Sequence, residues 1–177
     1  MAAYGNAARS FLQGGCALIF VTVGTQLPFD RLVKTMDAWA ARHPAEQVFG
    51  QIGNSAYTPQ FVIWTRFSPP ESFREKYQAA DLIVSHAGIG NILLAIELQK
   101  PIIVMPRRAE LGEHRNDHQM ATVKRLQEKA GIGVIYEAAE LDQAIQCTRA
   151  TNIRPSRPTA ASTELLTTIR DFIGADS

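Results

Sequence analysis

The sequence predicts an α/β domain built on a parallel sheet covered on both faces, and three observations carry that reading. Near-continuous apolar runs at residues 17–23, 82–85 and 102–105 read as buried strands, because a strand covered on both faces has no polar side to show. Stretches with apolar residues at helical spacing alternate with these runs. Glycine or proline stands at most of the junctions. Such β-α alternation gives a Rossmann-like doubly wound parallel sheet, since parallel crossovers are right-handed.

The elements follow in order. Residues 17–23 form the first strand. Phe29, Leu32, Val33, Met36, Trp39 and Ala40 then fall on one helical stripe, with Arg31, Lys34 and Asp37 off it. Asp30 suits the first turn of that helix, where the dipole favours negative charge. His43-Pro44 ends it, because a residue before proline avoids the α region. Residues 47–52 and 61–67 read as two further strands, with Asn54, Ser55 and Pro59 supplying turn chemistry between them. Pro69, Pro70 and Glu71 open a helix that runs to residue 79. The strand at 82–85 leads into a loop at 86–91 and a helix at 92–98, stopped by Lys100-Pro101. The strand at 102–105 is closed by Pro106, and a polar loop follows at 107–115. Asn116 or Asp117 caps the next helix, which carries Met120, Val123 and Leu126 on one face and ends at Gly131. The last strand is expected at 132–136. Residues 151–158, with two prolines and two arginines, read as a linker, and Ala161, Leu165, Leu166, Ile169, Phe172 and Ile173 mark a terminal amphipathic helix. The organisation expected is a flexible leader at 1–15, a sheet domain at 16–150, and the linker with its helix at 151–177.

Composition narrows the function. The chain has 177 residues, enough for one such domain. Lys plus Arg is 18 and Asp plus Glu is 17, a net charge of +1 that gives no whole-protein field toward nucleic acid, so no nucleic-acid partner is expected. The longest apolar run, 16–23, is broken only by Thr22 and is far short of the ~20 residues that span a bilayer. Arg9 before that run has the outline of a signal peptide, but no small-x-small cleavage site follows it. The two cysteines, Cys16 and Cys147, lie far apart and are expected to be reduced, partly buried thiols.

In a doubly wound sheet ligands bind outside the carboxyl ends of the strands, so the loops after Val23, Ser85 and Met105 matter most. The first begins Gly24-Thr25, a tight turn with a hydroxyl beside it. The second, His86-Ala87-Gly88-Ile89-Gly90-Asn91, sets two glycines before a helix, where backbone N–H groups can face an anion such as a diphosphate, with Asn91 as cap or first-turn donor. A dinucleotide fingerprint would want a third glycine where Leu93 stands, and an acidic residue at a strand end about 20 residues on. The third loop reaches Glu113-His114-Arg115-Asn116-Asp117-His118-Gln119. His114 and His118 have the spacing of a zinc helix, but Arg115 replaces the glutamate of that motif, and no metal is expected. Asp, Asn and Gln together suit vicinal sugar hydroxyls, which donate and accept at once.

The strings Phe20-Val21-Thr22-Val23-Gly24-Thr25, Ser85-His86-Ala87-Gly88-Ile89-Gly90-Asn91, Lys100-Pro101-Ile102-Ile103-Val104-Met105-Pro106-Arg107 and Gly112-Glu113-His114-Arg115-Asn116-Asp117-His118-Gln119 stand in the order found in the glycosyltransferase family 28 C-terminal domain, which residues 17–147 resemble. The likeness is strongest to the family's short, single-domain branch. That branch holds the catalytic subunit of the two-part GlcNAc transferase of dolichol-linked oligosaccharide synthesis, and bacterial capsule and exopolysaccharide subunits of the PssE type.

The resemblance implies the donor-binding half of a GT-B glycosyltransferase. It implies a UDP-sugar substrate, inverting displacement and no cofactor. By resemblance Gly24 and Thr25 face the cleft, and His86, Gly88, Gly90 and Asn91 lie near the diphosphate. Asp117, His118 and Gln119 lie near the donor sugar, Glu113 and Asn116 of the same polar loop join Asp117 and Gln119 as donor-binding candidates, and His86, Asp117 and His118 are the candidate catalytic residues. The family's ribose-binding glutamate has Leu94 in its place here, with Glu97 one turn later. The implied partner is a membrane-anchored, acceptor-binding subunit that presents a lipid-linked glycan acceptor. The chain would then be cytoplasmic, held peripherally at the inner face of the cytoplasmic membrane through that partner. A non-catalytic nucleotide-binding enhancer of a partner transferase is the other reading, with a domain for NAD as a third.

Overall fold

Among the described residues β1 (Leu18–Thr22), β2 (Gln47–Gln51), β3 (Ile63–Thr65), β4 (Leu82–His86), β5 (Ile102–Met105) and β6 (Gly133–Val134) form one sheet in the order β3-β2-β1-β4-β5-β6. Every neighbouring pair is parallel. The computed structural model describes residues 17–115, 123, 132–151 and 155. The helices are α1 (Asp30–Arg42), α2 (Pro70–Ala79), α3 (Ile89–Leu98) and α4 (Leu141–Thr151). The chain winds outward from β1 to β3, crosses back to β4 on the other side of β1, and winds outward again to β6. That reversal between β1 and β4 is the topological switch point of a doubly wound sheet.

Alternation along the strands divides the core in two. Ile19, Val21 and Val23 point to one face and meet Leu32, Val33, Met36 and Trp39 of α1, with Leu141 and Ile145 of α4. Leu18 and Phe20 point to the other and meet Tyr77 of α2 with Ile92, Ala95 and Ile96 of α3. The Phe20 ring stands edge-on to Phe73 and Tyr77, at centroid distances of 5.3 and 6.0 Å. Each such pair adds about 0.5–1.5 kcal/mol beyond the area it buries. The fully buried Tyr77 keeps its hydroxyl satisfied by donating to the Asn91 carbonyl at 2.7 Å, which ties α2 to the first turn of α3.

Among the described residues the expected strands and helices are present, with differences that have local causes. Strand β3 begins at Ile63 rather than 61, because the N–H groups of Phe61 and Val62 donate to the Asp37 carboxylate at 2.7 and 3.1 Å. Asp37, off the apolar stripe of α1, is nonetheless buried and also accepts from the Tyr57 hydroxyl at 2.7 Å and the Gln60 N–H at 3.0 Å. Burial alone would raise its pKa, but these donors hold it below the usual carboxylate range. Helix α3 starts three residues earlier than expected, with Gly88 as its N-cap, so Gly90 and Asn91 belong to its first turn and not to the loop. Strand β6 is shorter than 132–136: Ile135 N–H still reaches the Val104 carbonyl, but Tyr136 N–H turns to the Glu140 carboxylate. Helix α4 was not legible beforehand, since only Leu141 and Ile145 of its face are buried. The 107–115 loop holds a short 3-10 turn at Ala109–Leu111. Cys147 is exposed, contrary to the expected partial burial, because it lies on the outer side of α4.

The leader at 1–15, Cys16, the helix start at Asn116 or Asp117, the face residues Met120 and Leu126, Gly131 and the terminal helix at 161–173 lie outside the described residues. Val123 is buried in the second core cluster. No described helix is long and apolar enough to cross a membrane.

Candidate functional site

A cleft of about 550 Å³ opens at the carboxyl ends of β2, β1 and β4. Six residues expected from the sequence meet there: Gly24, Thr25, His86, Gly88, Gly90 and Asn91. The β1 and β4 ends are fixed by register, with Thr22 opposite Ser85 on one side and Gln51 on the other. Gly24 turns the chain at φ 77°, a left-handed conformation that glycine adopts without strain.

The glycines make room for a side chain as well as for a ligand. A Cβ on Gly24 would stand 2.7 Å from Cε1 of His86, and a Cβ on Gly88 would overlap the same ring. The imidazole is thus clasped between the two loops. A Cβ on Gly90 would meet nothing within 4 Å, so that position opens into the cleft. The expectation that Gly88 is small for the sake of a diphosphate is corrected in part: the first atom it accommodates belongs to His86.

Around the ring, Asn91 Nδ2 donates to Ser85 Oγ at 2.8 Å and lies 3.4 Å from His86 Nδ1. Nε2 points toward Gly24 and Gly88, and the ring also hydrogen-bonds with the Thr22 backbone. Asn91 therefore orients the histidine and is not the helix cap; α3 has no side-chain cap, and its N-terminus opens on the cleft. Burial, reinforced by the positive charge of Arg107, pushes the His86 pKa down to about 4. At neutral pH the ring is uncharged and a poor proton acceptor. It fits a hydrogen-bond donor and not the general base.

Arg107, the first residue of the polar loop after β5, organises the site. It is 2% exposed and donates to the carbonyls of Val23, Leu27 and Pro28 at 2.8, 2.7 and 2.6 Å. Its guanidinium lies 4.8 Å from the Phe29 ring centre. Burial lowers its pKa to about 10, so it remains a cation beneath the Gly24 loop.

Glu113, expected at the donor, does not line the cleft. Its two oxygens take Nε and Nη2 of Arg31, each at 2.8 Å, and it also accepts the Arg108 N–H at 2.9 Å. The carboxylate clamps the 107–114 loop to α1. Its neighbour His114 does line the cleft. Asn116, Asp117, His118 and Gln119 lie outside the described residues.

Gln51, Ser68 and Phe73 are lining residues outside the three expected loops, while Gln26, Arg107 and His114 line the cleft from within those loops without having been assigned to the ligand. The signal for Gln51 was available: a polar residue stands at the carboxyl end of β2, where this topology places ligands. No Asp or Glu stands among the described residues that line the cleft. An uncapped helix N-terminus, a buried cation and a glycine turn, with no opposing carboxylate, make a site for an anion. Among the described residues no three His, Cys, Asp or Glu side chains are grouped to hold a metal ion.

Residues 18–170 match the profile of the glycosyltransferase family 28 C-terminal domain. A human protein, UDP-N-acetylglucosamine transferase subunit ALG13, is 31% identical over 124 residues, which are 64% of this chain and 10% of that protein. Its mouse counterpart is 29% identical over 123 residues, again 64% of this chain and 10% of that protein. The chain thus spans about a tenth of the length of these curated relatives. The solution NMR structure of ALG13 superposes with a TM-score of 0.59 at 18% identity, covering 84% of this chain and 92% of that one. MurG of Acinetobacter baumannii superposes with a TM-score of 0.55 at 19% identity, over 77% of this chain and 42% of that one. At these identities the structures share the fold.

Proposed function

Because the chain belongs to the glycosyltransferase family 28 C-terminal domains, we propose that it is the UDP-sugar-binding, catalytic subunit of a two-component inverting glycosyltransferase. The observation that carries the reading is the carboxylate-free anion cleft at the switch point between β1 and β4. A nucleoside diphosphate fits its charge. The human relative's description as a transferase subunit supports a partner chain.

In this mechanism the acceptor hydroxyl oxygen attacks the anomeric carbon of the donor sugar. The bond from that carbon to the β-phosphate oxygen breaks, and UDP leaves with the electron pair. The hydroxyl proton goes to a base outside the described residues, either His118 or a group on the partner. This chain's part is to stabilise the leaving diphosphate. The α3 N-terminus offers backbone N–H groups, the His86 ring is a neutral polar neighbour, and Arg107 supplies positive charge from below. Asp117 and Gln119 are proposed to hold the donor sugar, as the family resemblance implies. The partner supplies the acceptor surface and the membrane anchor, and the acceptor is a lipid-linked glycan of capsule or exopolysaccharide synthesis.

Reconstitution tests this reading. The purified chain is expected to transfer no sugar alone, since near-attack geometry needs both reactants held. Added to membranes carrying the acceptor-binding partner, it is expected to transfer from a UDP-sugar. Transfer by the partner that survives Gly88→Val in this chain would instead favour the enhancer reading.

A further inference from the structure

Gln51 closes β2 at the floor of the cleft. It is 3% exposed, and its register partners are Thr22 on β1 and Thr65 on β3. The backbone carbonyl is used by Val23 N–H at 3.2 Å. The side-chain Oε1 accepts the Ser68 N–H at 2.9 Å, which fixes the plane of the carboxamide. Nε2 then has its direction set, and among the described residues it has no hydrogen-bond partner. An amide nitrogen carries two donors. This one lies in the wall of an open cleft, where a bound molecule can satisfy it.

Its place along the cleft says which part of a ligand it meets. The uncapped helix end follows β4, and β1 lies between β4 and β2. Neighbouring strands are about 4.8 Å apart, so Gln51 stands roughly 10 Å from that helix end and beside the Gly24 turn. The neighbouring lining residues are Ser68, Pro70 and Phe73, which present ring faces and one loop. A planar base can pack on such surfaces, and phosphate oxygens gain nothing from them.

Resting on the UDP-sugar reading, we infer that Gln51 is a nucleoside-binding residue, whose Nε2–H groups donate to a carbonyl or hydroxyl oxygen of the base or ribose while Ser68 holds the other end of the amide. Gln51→Glu separates the two ends. A carboxylate keeps the oxygen that accepts the Ser68 N–H, but it turns the free donor into an acceptor. The variant thus preserves the latch and inverts the contact with ligand.

The test is calorimetric titration with UDP and with pyrophosphate, alongside thermal melts, for wild type, Gln51→Glu and Gln51→Leu. Expected for Gln51→Glu at pH 8 are a melting temperature close to wild type and a UDP affinity at least tenfold weaker. At pH 5.5, relative to wild type at the same pH, part of the loss returns as the carboxyl takes a proton and donates again. Gln51→Leu, which has no polar atoms, loses UDP affinity while pyrophosphate affinity stays. Equal UDP binding by wild type and Gln51→Glu overturns the inference, because the residue would then serve only Ser68. Equal loss of pyrophosphate and UDP in Gln51→Leu also overturns it, since the amide would then face the phosphates. If wild type itself binds no UDP, the functional reading fails, and the inference with it; that outcome is seen in the wild-type arm alone.

Discussion

Gly88→Ala is the sharpest probe of the site's construction. The Gly88 backbone, at φ −81° and ψ 130°, is ordinary for any residue, so an added methyl is opposed by sterics alone. Its Cβ would overlap the His86 ring, and the ring has no easy retreat, because Gly24 packs on it from the other side. Overpacking of this kind costs roughly 1–3 kcal/mol. For a chain of this size that is a fall in melting temperature of roughly 2–12 °C. UDP affinity falls as well, because the displaced ring no longer presents Nε2, and a lost neutral hydrogen bond of about 0.5–1.5 kcal/mol is a factor of roughly two to twelve. The assay is a double-mutant cycle by urea or thermal unfolding, with Gly88→Ala made in wild type and in His86→Ala. Removing the ring should remove most of the penalty, a coupling of at least about 1 kcal/mol. Gly90→Ala, which meets nothing, should cost no stability in either background. An undiminished penalty for Gly88→Ala in the His86→Ala background would refute the clasp.

Stability should depend on pH through the same ring. The folded pKa of His86, about 4, lies below the unfolded value of 6.5. Between these the unfolded chain binds more protons, so the contribution is whole above pH 6.5 and is lost as pH falls toward 4, with a slope of at most about 1.4 kcal/mol per pH unit. Urea melts at pH 7.5 and 5 should therefore differ less in His86→Gln than in wild type; an equal difference would contradict the assignment. Glu113→Ala should lower stability by roughly 1.5–3 kcal/mol, because it removes the carboxylate from Arg31, leaving only the Tyr136 and Pro106 carbonyls to it, and frees the 107–114 loop. UDP affinity of the folded variant should stay within a few fold of wild type, whereas a large loss at unchanged stability would return Glu113 to the donor.

The sheet was legible because its strands are buried on both faces, so the apolar runs near 18–22, 82–86 and 102–105 announce themselves. The two glycine-bearing loops were legible because strand ends in this topology point at the ligand. What stayed hidden depends on long-range geometry. Nothing local in the sequence says that Glu113 will meet Arg31, 82 positions away, and so turn from the cleft. Nothing local says that Arg107 will reach back to Val23, Leu27 and Pro28. Asp37 looked solvated because the loop that covers it, at 57–62, has no pattern of its own; the carboxylate supplies the order. Helix α4 was masked because only one narrow edge of it packs.

Titration of the purified chain with UDP, and with GDP, CDP and pyrophosphate beside it, tests the central claim most directly. The account expects saturable binding of UDP, tighter than that of the other nucleotides, and its weakening by Gly88→Val. Absence of UDP binding, or equal binding of all the phosphates with no change in Gly88→Val, would contradict it.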